Sequence, residues 1–421
     1  EKELAVLKGR VDGLEAKVGV LEAQQFSTTT KLQGDMTFVL GGVGYGGNAI
    51  PAGTNNLNGA AATPARNAVS FNYDMRLNFS TSWSGKDLLY TRLRAGNFGA
   101  SAFNGAPVPM AALDKASQSA AGANVVFVDR LYYRFPVGKE LTFTLGAIAR
   151  NTEMISFRPQ AYNADILDFF TLAGAPGAYN KATGQGFGVV WKQNVQKGKP
   201  YLTASVNYVA ANGNDGNPTT GGIMSANGRN NVTVQLGGRG KNWGAAALYR
   251  YGSCGTNDRR GTTMAAANIT CGPVNAGSNN SLGLGAYWQP LTTGWIPSVS
   301  LGWGYNGISQ SNQNPGFSSI NNVAASQSWA AMFQWDDAFA KGNAAGFAFG
   351  QGVMATATRV STQPLDDSNY AFEAFYRFRV TDKISVTPAV FYLSNPLGQQ
   401  QRNNNTVLNN TGFLIQTNFK F

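Results

Sequence analysis

The sequence predicts an all-β protein: a transmembrane antiparallel β-barrel of about sixteen strands, with a short N-terminal α-helical coiled-coil stalk. Three observations point there. Residues 69–83 read VSFNYDMRLNFSTSW and alternate apolar with polar side chains throughout. The connections between such segments are short and long in turn. Residues 1–25 instead repeat their apolar side chains every three or four positions.

In chain order the stalk, residues 1–25, comes first. Leu4, Leu7, Val11, Leu14, Val18 and Leu21 are spaced 3-4-3-4-3. This puts Leu4, Val11 and Val18 at heptad position a and Leu7, Leu14 and Leu21 at d. Glu3 with Lys8, Arg10 with Glu15, and Lys17 with Glu22 then occupy g and e with opposite charge. Parallel helices that associate between chains favour that pattern, although so few heptads do not choose between two strands and three.

Near residue 32 the period becomes two and stays so, making residues 31–421 one barrel domain. Successive strand side chains point to opposite faces, so period two gives one apolar and one wet face. Ordinary strands run roughly five or six residues, whereas a tilted strand crossing a bilayer needs about 9–11. Alternating segments of that length fall at 32–45, 69–84, 87–97, 125–135, 140–150, 185–193, 200–210 and 230–239. They continue at 241–251, 281–289, 296–306, 327–335, 344–356, 369–380, 383–394 and 411–421. Short turns on one rim and long loops on the other mark an outer-membrane barrel. An even strand count returns both ends to the short-turn rim, in the periplasm. Trp83, Tyr133, Trp191, Trp243 and Trp288 sit near strand ends, as aromatic girdles require.

Composition agrees. Of 421 residues, 43% are hydrophobic, 13% are charged and 51 are glycine. No apolar run approaches the ~20 residues of a spanning helix, and only helices and closed barrels satisfy their backbone in lipid. There is no histidine, which removes the commonest general base and metal ligand, and no nucleophile elbow appears. A hydrolase, a cofactor enzyme and a zinc site are therefore not expected. The net charge of +11 is dispersed through strand-like segments, which argues against nucleic acid as partner. Cys254 and Cys271 lie in one polar segment and are expected to form a disulfide closing a loop in an oxidising compartment. GVGYGG at 42–47 matches a dinucleotide fingerprint, but NAIPAGTNN follows where a helix would be needed. No secretory leader precedes Glu1, so we expect a mature or truncated piece.

If the apolar face meets lipid, the other face lines the lumen. On that parity Arg76, Arg92, Arg94, Arg130, Arg134, Arg150, Arg250, Glu373, Arg377 and Arg379 point inward. About sixteen strands make a barrel too wide to fill with side chains, so a watery bore with a positive wall is expected, favouring anions and polar solutes. The 151–184 connection contains ADILDFF at 164–170, too apolar for a solvated loop. It is expected to fold inward, narrow the pore and set Glu153, Asp165 and Asp168 against the arginines. Asp129 breaks the pattern by sharing the lipid parity of Phe127 and Leu131. A bulge or a subunit contact would account for it.

The stalk followed by KLQGDM at 31–36, RLYYRF at 130–135 and the closing TNFKF at 417–421 resembles the cyanobacterial outer-membrane porins related to the carbohydrate-selective (OprB-type) family. The resemblance implies sixteen strands, a homotrimer, contact with membrane lipid and lipopolysaccharide, and Phe421 as the signal read by the barrel-assembly machinery. It also implies an S-layer-homology domain, missing from these residues, that grips peptidoglycan ahead of the stalk. The expected function is passive outer-membrane diffusion of small hydrophilic solutes and inorganic ions. A sugar-specific porin, with Tyr90 and Tyr132 stacking on pyranoses, and a tether between membrane and wall are the alternatives.

Overall fold

In the computed structural model, the described residues are 3, 7–11, 13–15, 17, 29–47, 66–271, 277–309, 322–360, 364–399 and 407–421. Among them sixteen antiparallel strands, each bonded to its chain neighbours, form one closed barrel. They are β1 (Thr30–Gly47), β2 (Ser70–Thr81), β3 (Leu88–Gly96), β4 (Phe127–Val137), β5 (Leu141–Arg150), β6 (Thr183–Lys192), β7 (Tyr201–Ala210) and β8 (Asn230–Arg239). Then come β9 (Trp243–Gly252), β10 (Ser278–Trp288), β11 (Ser298–Ser309), β12 (Val323–Asp336), β13 (Ala344–Thr358), β14 (Tyr370–Arg379), β15 (Ile384–Ser394) and β16 (Leu408–Lys420). Helical turns cover 7–11 and 13–15, where Leu7, Val11 and Leu14 are exposed in the single chain. Leu4, Val18 and Leu21 lie outside the described residues.

Closure removes the sheet edges that lipid would leave unsatisfied. β1 pairs with β16 from Asp35↔Lys420 to Gly47↔Leu408. Just past that ladder the Gly34 N–H donates to the Phe421 carbonyl at 2.7 Å, and the Phe421 N–H returns to the Gly34 carbonyl at 3.1 Å. A Cβ on Gly34 would fall 2.2 Å from the terminal ring, so only glycine leaves that ring its place. The GVGYGG glycines lie within β1, in register with β16 from Gly42↔Phe413 to Gly47↔Leu408. The outer face carries exposed Phe71, Leu145, Phe187, Leu202, Leu236 and Phe413, the greasy side of the alternation.

The bore departs from expectation. Side chains alone would not fill it, but long connections fold into it and pack apolar clusters against its wall, the largest on β1 and β12–β16. Phe98, Phe103, Met110 and Leu113, from the β3–β4 connection, join Ile166, Leu167, Phe169 and Phe170, from the β5–β6 connection. They pack on inward residues of β1 and β12–β16, including Val39, Met332, Phe375, Phe391 and Leu414. The two connections bond to each other: Asp114 N–H donates to the Ile166 carbonyl at 2.8 Å and Asp168 N–H to the Ala112 carbonyl at 2.9 Å. Inward glycines receive the AGAPGA stretch; a Cβ on Gly302 of β11 would meet the Ala173 carbonyl oxygen at 1.8 Å. A third inward segment follows β9. It is closed by the Cys254–Cys271 disulfide and bonds to β13, with Thr262 N–H on the Val353 carbonyl at 2.9 Å.

Asp367, before β14, pins this third segment. Its carboxylate accepts from the Thr262 hydroxyl at 2.6 Å, Ala355 N–H at 2.7 Å and Gln399 N–H at 2.8 Å. Burial outweighs these donors and pushes its pKa up from 3.8 to about 6. A raised carboxyl stabilises the folded state fully below its unfolded pKa, and that contribution is lost as pH rises through the folded one. Hydrogen-exchange protection around Thr262 should therefore fall between pH 4 and pH 7 in the parent. In Asp367→Asn it should be flat; the same fall in both would remove Asp367 as the cause.

Candidate pore constriction

The basic wall is built on β2–β5, where strand alternation turns every second side chain inward. Asp74 on β2 accepts Arg94 Nε at 2.9 Å and Arg76 Nε at 3.3 Å, and Arg94 adds a second contact through Nη2. Arg92 Nε donates to Asn78 Oδ1 at 2.9 Å and its Nη2 to the Tyr90 hydroxyl at 2.7 Å. Arg134 Nε donates to Thr144 Oγ1 at 3.1 Å and its Nη2 to the Glu153 carbonyl at 2.7 Å. Arg150 Nε donates to Thr183 Oγ1 at 3.1 Å. Tyr90 and Tyr132 lie 5.1 Å apart, with Arg92 over the first ring at 5.4 Å and Arg134 over the second at 5.0 Å.

Asp129 belongs to this wall because of a bulge. The β3–β4 register runs Arg92↔Arg130 and then Leu93↔Val128. The residue left over is Asp129, and the extra residue re-aims its side chain. It lies 3.4 Å from Arg92, 3.7 Å from Arg94 and 3.1 Å from Arg130. Arg130 Nε also reaches Glu153 at 2.9 Å. Four guanidinium groups, Arg76, Arg92, Arg94 and Arg130, thus share three carboxylates, Asp74, Asp129 and Glu153. Among the described residues Arg134 and Arg150 form no ion pair.

The filled side is locked by one buried carboxylate. Asp168 accepts Arg259 Nε at 2.7 Å, Arg260 Nε at 2.6 Å and the Lys181 ammonium. Lys181 also meets Asp114 at 2.5 Å. The cluster ties the β3–β4, β5–β6 and β9–β10 connections together. Burial alone would raise the Asp168 carboxyl, but Arg259, Lys181 and Arg260 outweigh it and hold it well below the usual carboxylate range. Glu373 on β14 is the wall anchor, accepting the Tyr162 hydroxyl and the Leu167 N–H, each at 2.6 Å.

Several expected lining residues are therefore covered. Arg250 and Arg130 have no exposed surface. The first donates to Asp258 at 2.7 Å and Ser281 at 3.1 Å beneath the inward segments. Glu373 and Asp168 are buried anchors. Arg379 turns to Asp382 on the short-turn rim. Arg377 donates to the Asn163 carbonyl at 2.6 Å, and Asp165 is half exposed, 3.8 Å from Lys115. Parity reports a face, and loops arriving from elsewhere decide what stays open. Asp74, Asp114, Lys181, Arg259 and Arg260 were missed; the adjacent arginines inside the Cys254–Cys271 loop were the legible signal.

The family description "Carbohydrate-selective porin, OprB family" matches residues 1–421. An uncharacterized protein of Synechocystis is 30% identical, covering all of this chain and 74% of its own length. One of Nostoc is 30% identical over all of this chain and 70% of its own. Among solved structures, Pseudomonas putida OprB at high pH superposes with a TM-score of 0.56 at 12% identity, over 93% of this chain and 94% of that one. The anion-selective porin of Comamonas acidovorans gives 0.50 at 10% identity, over 93% and 99%. These two likenesses carry the fold alone.

Asp168→Asn withdraws the shared acceptor of three cations. Breaking a buried ion pair costs about 3–5 kcal/mol. Limited proteolysis should cut residues 160–175 and 254–271 faster in the variant, while the barrel still resists unfolding in detergent. Unchanged cleavage would count against the cluster as the lock.

Proposed function

The chain belongs to the carbohydrate-selective OprB porin family, whose barrel is an outer-membrane channel, and we propose that it passes small hydrophilic solutes and inorganic ions by passive diffusion. The short-turn rim is taken as periplasmic. The observation that carries the reading is the asymmetry of the bore. Inward segments pack an apolar core on β1 and β12–β16, and beside β1 in the barrel order the strands β2–β5 carry an excess of guanidinium charge. Solutes that cross must run along that wall. Fixed positive charge in a narrow, low-dielectric passage favours anions.

Charge balance sets how strong the preference is. Asp74, Asp129 and Glu153 neutralise part of the wall and hold its side chains in place. A transverse field between paired acids and unpaired arginines orients polar solutes without binding them tightly. The connections gathered by Asp168 supply the steric part of the filter, because they reduce the open cross-section that sixteen strands would leave.

The tilted ring pair Tyr90 and Tyr132 favours a second reading, in which sugars are preferred. Tyr90, the part-exposed ring of the pair, would offer a face for a pyranose beside the donors of Arg92, while Tyr132 is buried behind it. Faster liposome swelling with glucose than with a neutral solute of equal size would support it; equal rates would remove it.

Replacing both Arg92 and Arg94 by Ser should move the reversal potential in a salt gradient toward cation preference. The shift should be largest at low ionic strength, where screening is weak. No shift in planar bilayers would take the pair out of the filter.

A further inference from the structure

The short turns form the other mouth of the bore, and their charge is uneven. A cavity of about 360 Å³ opens between the β4–β5, β6–β7 and β8–β9 turns. Lys139, Lys192, Lys197, Lys199 and Lys241 line it together with Tyr201. Among the described residues none of these five lysines forms an ion pair. No carboxylate lines the cavity. Glu140, the nearest in sequence, keeps its charge outside the lining, accepting Trp191 Nε1 at 3.0 Å and the N–H of the lining Asn194 at 2.8 Å, one carboxylate against five ammonium groups. The next cavity along the rim, about 230 Å³, has Lys241 faced by Asp336, so the excess positive charge belongs to this arc.

Parity fixes which way the cavity looks. Lys192 pairs with Thr203 in the β6–β7 ladder, and Thr203 is a buried inward residue. Tyr201, two residues away, shares that face, and Lys192 Nζ lies 4.4 Å from its ring centroid. The cavity therefore borders the bore's mouth and meets the water that solutes cross.

We propose that this lysine pocket is a binding site for soluble multivalent oxyanions, with phosphate and diphosphate groups as the ligand class. The physical reasons are charge and shape. Attraction to five fixed charges grows with ligand charge, so a diphosphate gains more than chloride. Ammonium groups are separate point-charge donors that suit tetrahedral oxyanions, whereas planar carboxylates favour the guanidinium fork. The pocket would collect such anions at the mouth and raise their local concentration beside the arginine wall. That last role rests on the channel reading above; the binding itself does not.

Pyrophosphate is the probe. The full chain, in nanodiscs of zwitterionic lipid at low ionic strength, is titrated calorimetrically, and anionic headgroups are thereby excluded as the source. Saturable binding is expected, weakened by about tenfold or more in Lys197→Gln/Lys199→Gln/Lys241→Gln, since rim charges contribute through summed long-range attraction. These turn positions are exposed, and the variant should fold; its resistance to unfolding in detergent checks that. No saturable binding by the parent, or equal affinity in a folded variant, overturns the proposal. A second arm adds pyrophosphate to one side of a planar bilayer. Greater reduction of chloride current from the short-turn side supports the mouth location, and equal reduction from both sides refutes it. A chain that binds pyrophosphate yet passes no current would defeat the channel reading while leaving the site standing.

Discussion

The buried Asp168 carboxylate governs what the barrel can do. A closed sixteen-strand sheet has room for a wide bore, and the inward connections would gain little by entering it singly. Each brings polar backbone that needs partners away from water. Gathering Arg259, Arg260 and Lys181 on one carboxylate joins three stretches distant in sequence into one body. Their apolar side chains then complete a core against β1 and β12–β16. The charge cluster is costly to bury, and the surrounding core is what excludes water and strengthens it.

The same arrangement explains the eccentric bore. Where the wall is small and apolar, as at Ala348, Ala371 and Ala389, the plug fits against it. On β2–β5, where the arginines gather, the one carboxylate that the inward segments bring among the described residues is Glu153, whereas Arg250 on β9 is covered and meets Asp258. The lysine-rich turns continue this polarity past the sheet, because they connect β4 to β9, adjoining the basic strands.

Alternation made the strands legible, and switching loop lengths made the two rims legible. Residues 164–170 betrayed an inward loop, since Ile166, Leu167, Phe169 and Phe170 have no business in water. The failures share one cause. Arg250, Arg130 and Glu373 have the expected inward parity yet are covered, because the covering segments begin at distant positions. Asp129 was legible as a break in the alternation, and of the bulge and the subunit contact that could account for it, the register of β3 with β4 shows the bulge.

The sequence by itself determined a lipid-facing closed barrel with sixteen strands, because side-chain alternation and turn spacing are local and lipid allows few backbone solutions. Only the tertiary structure decided which inward charges stay wet, because that depends on contacts such as Lys181 with Asp114 and Arg260 with Asp168, made between segments whose meeting no local pattern encodes.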